Sequence, residues 1–388
     1  MTDSKVDRTT FRKRIFAHRA KILSAVITIL AALVVTGIVL YNSYVMKQYI
    51  SYSVVSEVER RDVSGAKVLG YGNMFVTYSV DGIHCTDAKG SDVWSFPFEM
   101  QTPMVEVNGD YVACADYNGR NIYVFNKQGT AGSIQTNVPI KKICVSETGV
   151  VAAVVDEGNV TPILLYYYDG TQLASFRTTM SKSGYPLAIS ISDNSKLVAV
   201  SYLYVDSGTL TTKIAFYNFG EVGKNESDNL VSGYDFQEEI IPLVEFLNED
   251  TAFALANDRL VFFEGKERPV NKANIMLQNE IHAVFYGDNR VGLVYLDATG
   301  ESKYRMDVYN SSGKLVNTIN FDLEYSDIFF ANNRTVIYNA ASALIYDDSG
   351  HLKFDGVFEE SVSLIVPTVS DTKYVLVTPE KIETIVLQ

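Results

Sequence analysis

The chain has 388 residues, with 33 Lys and Arg against 46 Asp and Glu and a formal net charge of −13. Apolar residues make up 47% and charged residues 20%, which excludes a disordered chain, while 25 Gly and 9 Pro exclude collagen-like and Pro-rich low-complexity classes. Three Cys are too few for a disulfide framework, and 25 Tyr with 20 Phe against one Trp suit strands.

The chain opens on a basic segment. Residues 1–21 carry Lys5, Arg8, Arg12, Lys13, Arg14, Arg19 and Lys21 against Asp3 and Asp7. Residues 22–40, ILSAVITILAALVVTGIVL, then have no charge, no Pro and one Gly. With Tyr41 the run spans about 30 Å at about 1.5 Å per residue, which predicts a transmembrane helix over 22–41. Lys47 is the only cation between this run and Arg60, so the positive-inside rule places 1–21 in the cytoplasm and the C-terminal domain outside the cell. Tyr41, Tyr44, Tyr49 and Tyr52 suit the outer interfacial belt. A cleaved signal peptide has a shorter apolar region, of about 7–15 residues, and a small-x-small site. The nearest such site here is Ser51-Tyr52-Ser53, and no Cys near the run offers a lipoprotein site. An uncleaved, single-pass cell-membrane anchor is the expectation.

Seven of the 33 cations and two of the 46 acids lie in residues 1–21, which leaves 26 against 44 and a net of −18 for the rest. Such a domain lacks the basic face that nucleic acid requires. Its acidity serves solubility or attracts cations or a basic partner.

Residues 42–63 read as a linker and 64–388 as strands throughout. One phrase recurs: two apolar runs about a polar turn, then Gly, as in MFVTYSVDGIHCTDAKG (74–90), YVACADYNGRNIYVFNKQG (111–129) and RTVIYNAASALIYDDSG (334–350). Its last copy is KYVLVTPEKIETIVLQ (373–388). Each is a hairpin rich in Val, Ile, Tyr and Phe. A strand precedes seven of the eight, for example MVEV (104–107), LVEFL (243–247) and SVSLIV (361–366), and a shorter one follows most, such as SDVWSF (91–96). Four of the preceding strands begin at or beside Pro103, Pro139, Pro186 and Pro242, where Pro is tolerated. Unit starts fall roughly 36 to 56 residues apart, the spacing of propeller blades. The expected fold is all-β: a β-propeller of eight four-stranded blades, with seven blades or two β-sandwiches as alternatives. The last unit lacks an outer strand. Residues 50–58 are expected to pair with 382–388 and close the ring, with Ile50, Tyr52, Val54 and Ser56 on the half-buried face.

IHCTDAKGSDVWSF (83–96) resembles the blade signature of quinoprotein-type (PQQ-like) β-propellers, with Asp87, Gly90 and Trp94 at the matching positions. The other blades keep the Gly turn and lack the Trp, and no cofactor is expected. The layout also resembles membrane-anchored propeller proteins of Gram-positive bacteria.

No reactive constellation stands out. His84, His282 and His351 fall in different units and His18 precedes the apolar run. No HExxH, CxxC, GxSxG or P-loop pattern occurs, so no catalytic, cofactor-binding or metal-binding residue is assigned. Glu238-Glu239, Asp347-Asp348 and Glu359-Glu360 are adjacent pairs, whose side chains point to opposite faces of a strand; Asp347-Asp348-Ser349-Gly350 reads as turn chemistry. Cys85, Cys114 and Cys144 sit in apolar contexts and read as buried thiols, although a bridge remains open. The segment 219–241 is polar, and its first part reads as a long loop, a place for binding or mere decoration. Sequons begin at Asn159, Asn225, Asn310 and Asn333.

The leading functional expectation is an extracytoplasmic binding or scaffolding module at the cell envelope, with an envelope protein or cell-wall component as partner and no nucleic acid. The alternative is a carboxylate-dependent cell-wall glycan hydrolase or lyase, which a cluster of Asp and Glu at one channel mouth would favour.

Overall fold

The computed structural model describes residues 8–60, 65–158, 160–176 and 184–388. Asp3, Lys5 and Asp7 of the basic segment, residues 61–63 of the expected linker and the Asn159 sequon lie outside the described residues. Two compact units are present, Met1–Gln48 and Tyr49–Gln388.

The first unit contains one helix, Arg8–Val45. Its stretch Arg12–Tyr41 is long and apolar enough to cross a membrane. The helix starts well before Ile22, because Arg, Lys and Ala are good helix formers and no Pro or Gly interrupts them.

The second unit is an eight-bladed β-propeller of four-stranded antiparallel sheets. The inner strands of blades 1 to 8 are Lys67–Tyr71, Pro103–Asn108, Ile140–Val145, Tyr185–Ile191, Leu243–Phe246, Ala283–Gly287, Asp327–Ala331 and Leu364–Pro367. The first of these had no counterpart among the seven strands read before the hairpins, because KVLGY is short and broken by Gly70.

Middle strands such as Val150–Val155, VVAAVV, are buried along their whole length. They must be, because each blade packs a neighbour on both faces. Eight core clusters fill the eight blade interfaces. One joins Val150, Ala152 and Val154 of blade 3 to Ile189, Val198 and Val200 of blade 4. Another joins Phe75 of blade 1 to Val366, Val375 and Ile382 of blade 8. Trp94 stacks on Phe125 of the next blade, with ring centroids 4.8 Å apart and planes 7° from parallel.

The strand Tyr52–Glu59 is the outer strand of blade 8. It pairs antiparallel with Lys381–Leu387, from Tyr52 opposite Leu387 to Glu59 opposite Lys381. The N–H of Gln388 donates to the Ser51 carbonyl at 2.8 Å, and the N–H of Tyr49 reaches Lys353 of blade 7 at 2.8 Å. The side chains do not follow the expected alternation. Tyr52, Ser53 and Val58 are half-buried while Ile50, Val54 and Ser56 face out, and a bulge interrupts the ladder between Val54 and Ser56.

The segment 219–241 needs a correction in its second half. Leu230–Gln237 is the outer strand of blade 4. The remainder is tied down by two short 3₁₀ turns, Gly223–Asn225 and Ser227–Asn229, and by the Asn229 side chain, which donates to the Asn218 carbonyl at 3.1 Å.

Candidate functional site

In a ring of antiparallel four-stranded blades, all turns between first and second strands emerge on one face. On that face a cavity of about 490 Å³ lies against the inner strands of blades 2 to 6. Glu106, Cys144, Ser190, Glu245 and Tyr286 line it, one from each of five consecutive blades. Four of them share a level. Glu106 pairs with Ala113, Cys144 with Ala152, Ser190 with Ala199 and Glu245 with Phe253, each the third rung counted from the backbone pair that closes its turn: Asn108–Tyr111, Ser146–Val150, Ser192–Leu197 and Leu247–Thr251.

The carboxylates are perturbed. Burial pushes Glu106 up to about 7. Its side chain still touches the water of the channel, so the enclosing walls rather than close contact desolvate it. Glu245 is also pushed up to about 7, first by burial and then by the negative charge of Glu106. Hydrogen bonds from Ser190 and Tyr286 and the charge of Lys142 pull the other way. The same burial, with Glu245 and Glu106 nearby, raises the Cys144 thiol and the Tyr286 phenol. Both shifts favour the protonated form, which lowers the nucleophilicity of the Cys144 thiol.

A second acidic layer surrounds the mouth. Burial raises Glu147, and Asp193, Asp110 and Glu249 add to it. Asp193 is raised by burial, against a hydrogen bond from Asn108, and further by Glu249. The turns are stitched across blades: Ser195 donates to Ser146 at 2.6 Å, Asn194 to Glu249 at 3.3 Å, and Asn248 to Asn289. Arg290 continues the chain to Asp348 of blade 7 at 2.6 Å. Lys127 pairs with Asp110, so the unbalanced negative charge of the mouth rests on Glu147, Asp193 and Glu249.

The residues singled out from the sequence lie elsewhere. His84 borders a small cavity between blades 8 and 1 with Glu59, Arg60 and Asp92. His282 packs on Tyr304, and His351 sits 3.3 Å from Asp347 in a blade 7 turn. Asp347 accepts the N–H groups of Ser349 and His351 at 3.0 Å, the turn chemistry expected of it. Glu239 pairs with Arg259 at 2.7 Å and Glu360 with Lys381 at 2.8 Å. All three Cys are free; Cys85 and Cys114 are buried in the interface of blades 1 and 2. Asn310 of one sequon accepts the N–H groups of Ser312 and Lys314, at 3.1 and 3.0 Å, in its own turn. Among the described residues no three His, Cys, Asp or Glu side chains come together as metal ligands. Glu106 and Glu245 were missed. Their signal was a lone carboxylate inside an otherwise apolar inner strand, MVEV and LVEF.

These features define an eight-bladed β-propeller with an electronegative channel mouth, in a chain that also carries an apolar N-terminal helix. The chain belongs to a family of unknown function, DUF5711, whose pattern matches residues 45–387. No curated protein matches it. Among solved structures it is similar to BamB from Moraxella catarrhalis, with a TM-score of 0.51 and 9% identity over 87% of this chain and 100% of that one. It is also similar to the WD40 domain of SCAP from fission yeast, with a TM-score of 0.49 and 10% identity over 87% and 98%. Hsv2p of Kluyveromyces lactis gives a TM-score of 0.47 and 11% identity over 81% and 98%. At these identities the likeness is one of fold. The quinone of PQQ enzymes does not fit this channel. The single Trp is used between outer faces of blades, and a carboxylate-lined wall repels an anionic quinone.

Proposed function

We propose that the chain is a single-pass, membrane-anchored binding module, with residues 1–21 cytoplasmic and 64–388 displayed outside the cell membrane. There the acidic channel mouth receives a basic segment of an envelope protein. The observation that carries this reading is the rim of Glu147, Asp193 and Glu249 above the Glu106–Glu245 pair. Opposite charge steers such a partner and fixes its register. Crosslinking of the full chain in intact cells, followed by capture, tests it. The Glu147→Lys, Glu249→Lys double variant is expected to lose the partner, whereas Glu301→Lys in a blade 6 loop retains it. Equal capture by all three proteins would defeat the proposal. Protease added to intact cells is expected to remove a C-terminal tag and spare an N-terminal one.

The second reading, a glycan hydrolase or lyase, is favoured by a specific observation. Two Glu raised to about 7 are protonated often enough at neutral pH to serve as a general acid. Release of soluble fragments from purified cell wall, abolished by Glu245→Gln, would establish it.

A further inference from the structure

A second cavity, of about 580 Å³, lies against the inner strands of blades 1, 7 and 8. That volume falls within the about 300–1,000 Å³ typical of small-molecule sites. Its wall is apolar, with Val68, Phe329 and Leu364 among its lining, and Asp327 is its one acidic group. Asp327 and Leu364 begin their strands. They therefore lie toward the face opposite the acidic mouth, whereas Gly70 and Pro367 stand near the other ends of their strands, so the cavity runs along these strands and is set apart from the acidic one by the blades that line it.

Asp327 is half-buried. One carboxylate oxygen accepts the N–H of Ile328 at 2.8 Å, and the other is 3.5 Å from the Tyr338 hydroxyl. A carboxylate offers about four acceptor positions, so capacity remains. Among the described residues no cation acts on this carboxylate, and burial raises it above the usual aspartate range. Tyr338 is held in place by Phe329, edge-on at 6.1 Å.

Gly70 supplies the independent observation. It sits inside the blade 1 inner strand and lines this cavity. Gly weakens a strand, and in a strand interior it marks a bulge, a bend or the close approach of something else. Its pairing with Phe75 is regular, its φ is not left-handed, and an added Cβ would meet nothing within 4 Å. Neither backbone nor packing within the fold requires glycine here, and its missing side chain leaves this part of the cavity wall open.

We propose that this cavity binds a small molecule with an apolar body and a protonated amine, the amine paired with Asp327 and the body lying over Gly70. The full chain in zwitterionic lipid nanodiscs tests this by ligand-observed saturation-transfer NMR, with empty discs subtracted. The probes are 4-phenylbutylamine and 4-phenylbutyrate. The amine is expected to bind at least about tenfold more tightly than the acid. Asp327→Asn should remove that preference while keeping the fold, and Gly70→Val should abolish binding of the amine with no loss of melting temperature. Equal binding of the two probes, a preference that survives Asp327→Asn, binding that survives Gly70→Val, or no signal above empty discs would each overturn the assignment.

Discussion

Replacing Glu245 by Gln removes one channel charge and leaves the shape of the side chain intact. The folded state holds the Glu245 proton up to about pH 7, whereas an unfolded glutamate releases it near 4.5. A group whose folded pKa is raised binds more protons when folded, so the wild type is destabilised as pH rises from about 4.5 to 7, and the loss is constant above that. At about 1.4 kcal/mol per unit, the gap corresponds to about 3 kcal/mol. For a ring of this size unfolding entropy is roughly 0.7 kcal/mol per degree, so Gln is worth about 4 °C. Glu245→Gln should melt about 4 °C above wild type at pH 8 and at the wild-type temperature at pH 4. Glu106 is more open to channel water, which screens it, and Glu106→Gln should give a smaller gain of the same sign. Thermal melts of the full chain from pH 4 to 9 read both effects. An unchanged pH slope in Glu245→Gln, or a gain that is as large at pH 4 as at pH 8, would refute the account.

The closing strand makes a second test. Leu387 is 4% exposed and lies in the interface of blades 7 and 8; Leu387→Ala should cost about 2–5 kcal/mol, or several degrees, while Val54→Ala, exposed on the partner strand, should shift the midpoint by less than a degree. Gly90 has φ +76°, and an added Cβ would lie 2.4 Å from Val58 Cγ1 of the closing strand. Gly90→Ala should therefore lower the melting temperature, and Val58→Ala should restore the steric part but not the backbone part, as a double-mutant cycle reads. Burial pushes the Cys85 and Cys114 thiols up to about 12, so both should resist a thiol-reactive dye at pH 8 until the chain is unfolded; fast labelling of the native protein would contradict their placement.

What the amino-acid order determines by itself is local and periodic. An unbroken apolar run marks the helix, because length and the absence of charge suffice. Hairpins recur because apolar runs, polar turns and Gly repeat, and pairing between strands adjacent in sequence needs no further information. Eight such units with an outer strand missing from the last also pointed to a closing strand at about residues 50–58, where Tyr52–Glu59 lies. Failures came where a local signal was weak or overruled. Gly70 hid the short inner strand of blade 1, polar residues hid Leu230–Gln237, and the closing strand, outermost in its blade, leaves Ile50, Val54 and Ser56 exposed instead of burying one alternating face. The channel was beyond such reasoning. Glu106, Cys144, Ser190, Glu245 and Tyr286 are roughly 40 residues apart, and each looks unremarkable in its own strand. They meet only because ring closure brings the inner strands of separate blades around one axis, and the third rung from each turn becomes a common level. The two low-dielectric walls that raise both glutamates exist only after that closure, so the chemistry of the site belongs to the tertiary structure.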